Sequence, residues 1–287
     1  MRQFRDRVAV VTGGASGIGF ATAERLAAEG MKLVLADVEA GALEAAVKKL
    51  ESGGATALGV RTDVSKAEEV ERLAQRTLER FGAVHVVFNN AGVAVTGEAW
   101  ENSLGDWEWV LGVNLWGVIH GIRTFVPILL RQDEPAHVVN TASMAGLTSN
   151  PGMAVYNVTK HAVVTLTESL HHDLALRRSP VKASVLCPGF ISTRIMDSAR
   201  NRQSDARRDP PTPEVSALGA SIELALREGV SQGFPPSQVA ERVFEAIRDE
   251  RFYVFAAQPE ILDAVKLRLD EIGAQKNPVT PTVLVEG

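Results

Sequence analysis

The segment Thr12-Gly13-Gly14-Ala15-Ser16-Gly17-Ile18-Gly19 follows an apolar strand pattern and leads into a helical one. Glycine at these points permits a tight turn and lets backbone approach a pyrophosphate. The start of the helix offers free N–H groups and the positive end of its dipole. Gly13, Ser16, Gly17, Ile18 and Gly19 are therefore candidate phosphate contacts, with a packing turn as the plain alternative. The spacing, Gly-x-x-x-Gly-x-Gly, departs from the usual dinucleotide fingerprint. Asp37 closes the next strand pattern, where a carboxylate can accept hydrogen bonds from the hydroxyls of an adenosine ribose. It can equally cap the helix that starts near Ala40. A 2'-phosphate would meet the charge of Asp37, and Val38 and Glu39 follow it with no Arg or Lys, so NAD is favoured over NADP. Asp63-Val64 can touch an adenine edge or cap the helix at Lys66. Asn89-Asn90-Ala91-Gly92 lets the chain pass close to a ligand, though a plain turn uses the same residues. Tyr156 and Lys160, four apart on a helical pattern, share a face and can converge on one point. Ser143 stands just past the strand before them.

These residues need a frame. Residues 7–11, 32–36, 56–61, 84–88, 137–141, 181–186 and 251–255 read as short strands. Helices are expected over 18–29, 40–51, 66–81, 103–131, 154–178, 214–228, 237–249 and 259–272, with Gly30 and Gly82 as stops. Strands that are apolar throughout and separated by helices imply a parallel sheet covered on both faces. Right-handed crossovers then give a single-domain, Rossmann-like, doubly wound α/β fold over residues 1–287. Such sheets bind ligands at the carboxyl ends of their strands, which is where to look for the chemistry. Residues 193–236 break the rhythm with Pro210-Pro211-Thr212-Pro213 and Gly233-Phe234-Pro235-Pro236, and are expected to form a lid over substrate. Residues 276–287 read as a C-terminal arm.

Composition excludes several alternatives. The 287 residues are 45% hydrophobic and 23% charged, enough for a sizeable core. The net charge of -5 argues against a nucleic-acid partner, which requires a basic patch. Cys187 is the single cysteine, so no internal disulfide or cysteine-rich metal site forms, in keeping with a reducing cytoplasm. The first residues lack the apolar run of a signal peptide. The apolar stretch 117–130 contains His120, Arg123 and Pro127 and is too short and polar to span a bilayer. A cytoplasmic protein without a membrane partner is the expectation. His171-His172 are adjacent on a helix and point apart, so no metal is expected. Trp107, Trp109 and Trp116 are expected to serve core or subunit packing.

Taken together, the motifs carry a family resemblance. Thr12-Gly13 with Gly17 and Gly19, Asp63, Asn89-Asn90-Ala91-Gly92, Asn114, Ser143, Tyr156 with Lys160, and Pro188-Gly189 with Thr193 resemble the short-chain dehydrogenase/reductase family in order and spacing. The likeness is strong over residues 4–195 and loose beyond. It implies hydride transfer between NAD(H) and a secondary alcohol or ketone. Tyr156 would be the acid in reduction and the base in oxidation. Its phenol, with an ordinary pKa of about 10, would be lowered by the Lys160 ammonium and the oxidised nicotinamide. Lys160 would also hold the nicotinamide ribose, and Ser143 would hydrogen-bond the substrate oxygen. Asn114 would hold a proton-relay water or simply mark a helix bend. Pro188, Gly189, Ile191 and Thr193 would meet the carboxamide.

Ala145, Leu147, Met153, Phe190 and Met196 occupy pocket positions by the same resemblance. Being apolar, they favour a bulky apolar or aromatic small-molecule substrate. The run 112–119 with Phe125-Val126-Pro127 is similar to a subgroup that includes dehydrogenases of aryl and other bulky alcohols. A homo-oligomer, dimer or tetramer, through the two long helices is expected. An NADP-dependent carbonyl reductase is the nearest alternative. A non-catalytic dinucleotide sensor would be expected to lack the Tyr or the Lys, and both are present.

Overall fold

Residue alternation explains why the strands of this chain assemble as they do in the computed structural model, which describes residues 1–202 and 217–279. Strand β1 (Val8–Thr12) is buried along its whole length. Its Ala9 and Val11 face one apolar layer while Val8 and Val10 face the other. Both faces are therefore roofed, as an all-apolar strand requires. Parallel pairing extends outward to β2 (Lys32–Asp37) and β3 (Ala57–Arg61) on one side. On the other side it runs through β4 (Val86–Asn89), β5 (Ala136–Thr141), β6 (Val181–Pro188) and β7 (Tyr253–Ala256). The order β3-β2-β1-β4-β5-β6-β7 reverses direction between β1 and β4. That reversal opens a crevice at the carboxyl ends of the strands.

One face of the sheet carries α1 (Gly17–Ala28), α2 (Ala40–Ser52) and α8 (Pro236–Asp249), packed through Leu26, Leu43 and Val243. The other carries α3 (Ala67–Phe81), α5 (Gly117–Gln132) and α6 (Ala154–Leu176), packed through Leu73, Phe125 and Leu170. Remaining helices are α4 (Leu104–Leu111), α7 (Ala217–Ser231) and α9 (Pro259–Gly273). Gly82 ends α3 in the left-handed conformation and returns its N–H to the Leu78 carbonyl, the stop that glycine allows.

The structure departs from the sequence reading at the single helix expected over 103–131. α4 starts on a Ser103/Asp106 capping box, then a π-helical turn at Gly112–Trp116 separates it from α5. The wider turn rotates Asn114 inward, where it is fully buried. By length and composition the run 104–132 is apolar enough to cross a membrane. Here Val118, Phe125, Val126 and Leu129 are buried in the core, and α5 packs on α3. Within 193–236, a 3-10 turn at Ile195–Asn201 precedes α7. The proline tract 210–213, the first residues of the helix expected from 214 and the arm residues 280–287 lie outside the described residues.

Candidate active site

A cleft of about 430 Å³ follows the carboxyl edge of the sheet across the β1/β4 switch. Its first wall is the glycine turn. Gly13 and Gly17 have φ of +61° and +55°, values that a side chain strains. Ser16 is extended at the start of α1 and makes no capping bond, which leaves the first-turn N–H groups for an anion. Gly19 lies beneath the turn rather than in the cleft wall; a Cβ there would sit 2.2 Å from the Gly13 carbonyl oxygen.

Asp37 ties this turn to β2. Its Oδ2 accepts from Ala15 N at 3.0 Å and its Oδ1 from Glu39 N at 3.1 Å. It does not cap α2, whose N-cap is Glu39. Burial raises the Asp37 pKa above the ordinary value, opposed by the backbone N–H groups of Glu39 and Ala15. Asp63 accepts from both Ser65 N (3.0 Å) and Ser65 Oγ (2.7 Å), bracing the turn before α3, while Val64 packs on Gly117. Lys66, rather than Asp63, is the N-cap of α3.

The Asn90 side chain works inward. Its Nδ2 donates to the carbonyls of Thr12 (3.0 Å) and Gly13 (3.3 Å), and its N–H donates to Thr12 Oγ1 at 2.9 Å. Ala91 N also donates to Thr12 Oγ1 at 3.1 Å. Asn90 thus holds the glycine turn to β4, and Ala91 and Gly92 present main chain to the cleft. Thr12 is a positioning residue that sequence reasoning left inside the glycine motif.

At the other end, β5 delivers Ser143 and α6 delivers Tyr156 and Lys160. The Ser143 hydroxyl is near enough to the Tyr156 phenol to favour its ionised form. It also donates to Pro188 O at 3.3 Å and accepts from Ala145 N at 3.1 Å. Lys160 Nζ lies 5.4 Å from the Tyr156 ring centre and donates to Thr141 O at 3.0 Å. Lys160 is 2% exposed, whereas Tyr156 keeps part of its ring at the cleft surface. Burial pushes the Tyr156 phenol up to about 12, with the nearby Ser143 hydroxyl opposing. Burial pushes the Lys160 ammonium down to about 8, opposed by Cys187. The sequence leads to the expectation that the ammonium and the oxidised nicotinamide together lower the phenol; in the protein alone, without the nicotinamide charge, desolvation outweighs the ammonium.

Asn114 contributes from the π turn. Its Oδ1 accepts from Val93 N at 2.8 Å, and its Nδ2 donates to Val93 O (2.9 Å) and Thr159 Oγ1 (3.2 Å). The amide is thus engaged on protein atoms and does not line the cleft. Thr159 Oγ1 donates in turn to Tyr156 O at 2.8 Å, so Asn114 links the loop after β4 to the helix that carries Tyr156 and Lys160.

Pro188, Gly189, Ile191 and Thr193 close the cleft behind β6, and Thr193 lies over Gly17. Met153, Phe190 and Met196 gather with Tyr156 against Ile222 and Leu226 of α7. The structure does not bring Leu147 to that group; it packs against a different one, which contains Met144, Val163 and Val185. Ala145 is buried in a 3-10 turn, Met144–Gly146. Trp107 and Trp109 pack on Val93, Val110 and Val155, but Trp109 also lines the cleft, as do Arg194 and Arg200. No local signal marks the two arginines. Among the described residues, no group of three or more His, Cys, Asp or Glu side chains is placed to hold a metal.

An open helix N-terminus, a carboxylate and a Tyr-Lys-Ser group along one cleft fit a dinucleotide. Comparison with known proteins agrees. Residues 7–204 match the family described as short chain dehydrogenase. A 1-deoxy-11-beta-hydroxypentalenate dehydrogenase of Streptomyces arenae is 38% identical over 88% of this chain and 83% of its own. A C alpha-dehydrogenase of Sphingobium is 32% identical over 95% and 87%. A short chain dehydrogenase/reductase from Burkholderia phymatum, solved in complex with NAD, is 48% identical with a TM-score of 0.94, covering 98% of this chain and 99% of that one. With the family matched across most of its length, the chain belongs to the short chain dehydrogenases and is an oxidoreductase.

Proposed function

We propose that this protein oxidises a secondary alcohol, or reduces the matching ketone, with NAD(H), and that Tyr156 exchanges the proton on the reacting oxygen. The observation that carries this is the convergence of Tyr156, Lys160 and Ser143 at one end of a cleft whose other end holds the glycine turn and Asp37. When bound, the dinucleotide supplies or accepts the hydride and, oxidised, adds a positive charge beside the phenol. In the protein alone Tyr156 stays protonated, the form that a proton donor in reduction needs. Lys160, anchored on Thr141 O, keeps a cation near the phenol and favours phenolate when the proton leaves. Ser143 bonds the substrate oxygen as its charge changes. Asn114 ties α6 to the loop after β4 through Thr159 and Val93.

The Asp37 carboxylate supports NAD over NADP, because a 2'-phosphate would meet its charge. The apolar group of Met153, Phe190 and Met196 beneath α7 supports a bulky apolar or aromatic substrate, with 193–236 as its lid. The test is Tyr156→Phe. We expect turnover of a panel of aryl and aliphatic secondary alcohols to vanish while NADH still binds. Retained turnover would reject Tyr156 as the acid/base. Loss of NADH binding by the wild-type protein would reject the whole reading.

A further inference from the structure

The Asp37 end of the cleft holds three charged side chains that the sequence separates widely. Asp37 ends β2, Glu39 begins the next helix, and Arg200 reaches over from the 3-10 turn at Ile195–Asn201. Arg200 Nε donates to Glu39 Oε1 at 3.1 Å across 161 positions of sequence. Its Nη1 donates to two carbonyls of its own turn, Arg194 O and Asp197 O, both at 2.9 Å. Those carbonyls hold the guanidinium in place independently of Glu39. Nη2 makes no hydrogen bond to a described residue. Asp37, Glu39 and Arg200 all line the cleft. With their side chains 28% and 29% exposed, Glu39 and Arg200 meet at its surface rather than in the core.

Glu39 therefore engages the guanidinium, and Asp37 adds a second carboxylate to the same end of the cleft. An arginine fork matches a phosphate, and a free one at this point would offer its donors to a phosphate on the 2' oxygen. We propose that Glu39 and Arg200 form a specificity pair for the 2' position of the adenosine ribose. Glu39 occupies the guanidinium that a 2'-phosphate needs, and loss of the Glu39 charge converts Arg200 into a phosphate donor. Discrimination against 2'-phosphorylated dinucleotides then has two sources: the charge of Asp37 and the engagement of Arg200. The inference rests on the reading of this end as the adenosine end.

Calorimetry with adenosine 5'-monophosphate and adenosine 2',5'-bisphosphate tests it without turnover. Glu39→Gln should raise the bisphosphate-to-monophosphate affinity ratio about tenfold, the worth of one charge-assisted bond. Adding Arg200→Met to Glu39→Gln should abolish that gain. A ratio that does not rise in Glu39→Gln overturns the proposal while monophosphate binding leaves the adenosine reading intact. A gain that persists without Arg200 also overturns it, since relief of repulsion alone would then account for the change. Failure of the wild-type protein to bind the monophosphate would overturn the adenosine reading and the proposal with it.

Discussion

Gly19→Ala is the sharpest perturbation of the nucleotide end. A Cβ built on Gly19 lies 2.2 Å from Gly13 O, 2.6 Å from Asn90 Nδ2 and 2.9 Å from Gly13 C, where ordinary contact begins at 3.4 Å. The neighbours cannot yield separately. Gly13 has Ala91 main chain close on its other side, and Asn90 Nδ2 is bonded to Thr12 O. Relief therefore displaces the whole turn by about 1 Å relative to α1, a shift of the size that costs about a hundredfold in kcat/KM. Alanine gains about 1 kcal/mol of helix propensity over glycine, against an overpacking cost of about 1–3 kcal/mol. The net effect should lower the thermal midpoint by a few degrees. Gly41→Ala is the control: its Cβ meets nothing within 4 Å on an exposed turn of α2, so it should stabilise by about 0.5–1 kcal/mol. Steady-state kinetics, fluorescence titration with NADH and thermal melts read these effects. A Gly19→Ala protein with wild-type NADH affinity and midpoint would refute the claim that the turn depends on this close approach.

Other expectations follow from the same contacts. Asn114→Ala leaves the main-chain N–H and carbonyl of Val93 without the amide and should destabilise by about 1–3 kcal/mol in denaturant melts. It should lower kcat more than it raises KM, because the alignment of Tyr156 and Lys160 is disturbed. Asp37→Ser should narrow the NAD-to-NADP ratio of kcat/KM, and an unchanged ratio would deny the carboxylate a role in cofactor choice. His137 is fully buried in β5, with Nε2 2.7 Å from Ser184 Oγ and Nδ1 without a hydrogen-bond partner among the described residues. Burial holds its pKa at about 3 against 6.5 when exposed. Below pH 6.5 the unfolded chain takes up the proton first, so stability falls with pH down to about 3; roughly 2 kcal/mol should be gone by pH 5. Melts of His137→Gln should show a shallower acid slope than wild type.

Much of the frame is legible because buried parallel strands are apolar on both faces. Val8–Thr12 and Lys32–Asp37 announce themselves in this way, and the glycine turn between them needs no distant partner to be recognised. Convergence of Tyr156 with Lys160 follows from helix periodicity alone. What the sequence hides depends on distant contacts. The π turn leaves the apolar rhythm of 103–131 almost intact, yet it sends Asn114 to Val93 rather than outward. Arg200 reads as one more surface charge until the fold brings Glu39 to it. Leu147 and Met153 look alike in sequence but sit in different apolar groups, one with Met144 and Val163, the other with Ile222 and Leu226 of α7. The rise in the Tyr156 pKa likewise depends on enclosure that no local pattern encodes.

The central place of β1 also has a consequence for synthesis. β1 is completed early, but one of its two hydrogen-bonding edges is satisfied only by β4, whose residues begin at Val86. A nascent chain that has emerged only through β3 can pair β1 with β2 and still presents an unpaired, wholly apolar edge. Such an edge can recruit the same edge of another nascent copy. Folding of this protein should therefore depend on how fast the segment between β3 and β4 leaves the ribosome. Fragments ending before residue 86 should aggregate rather than form a nucleotide-binding half.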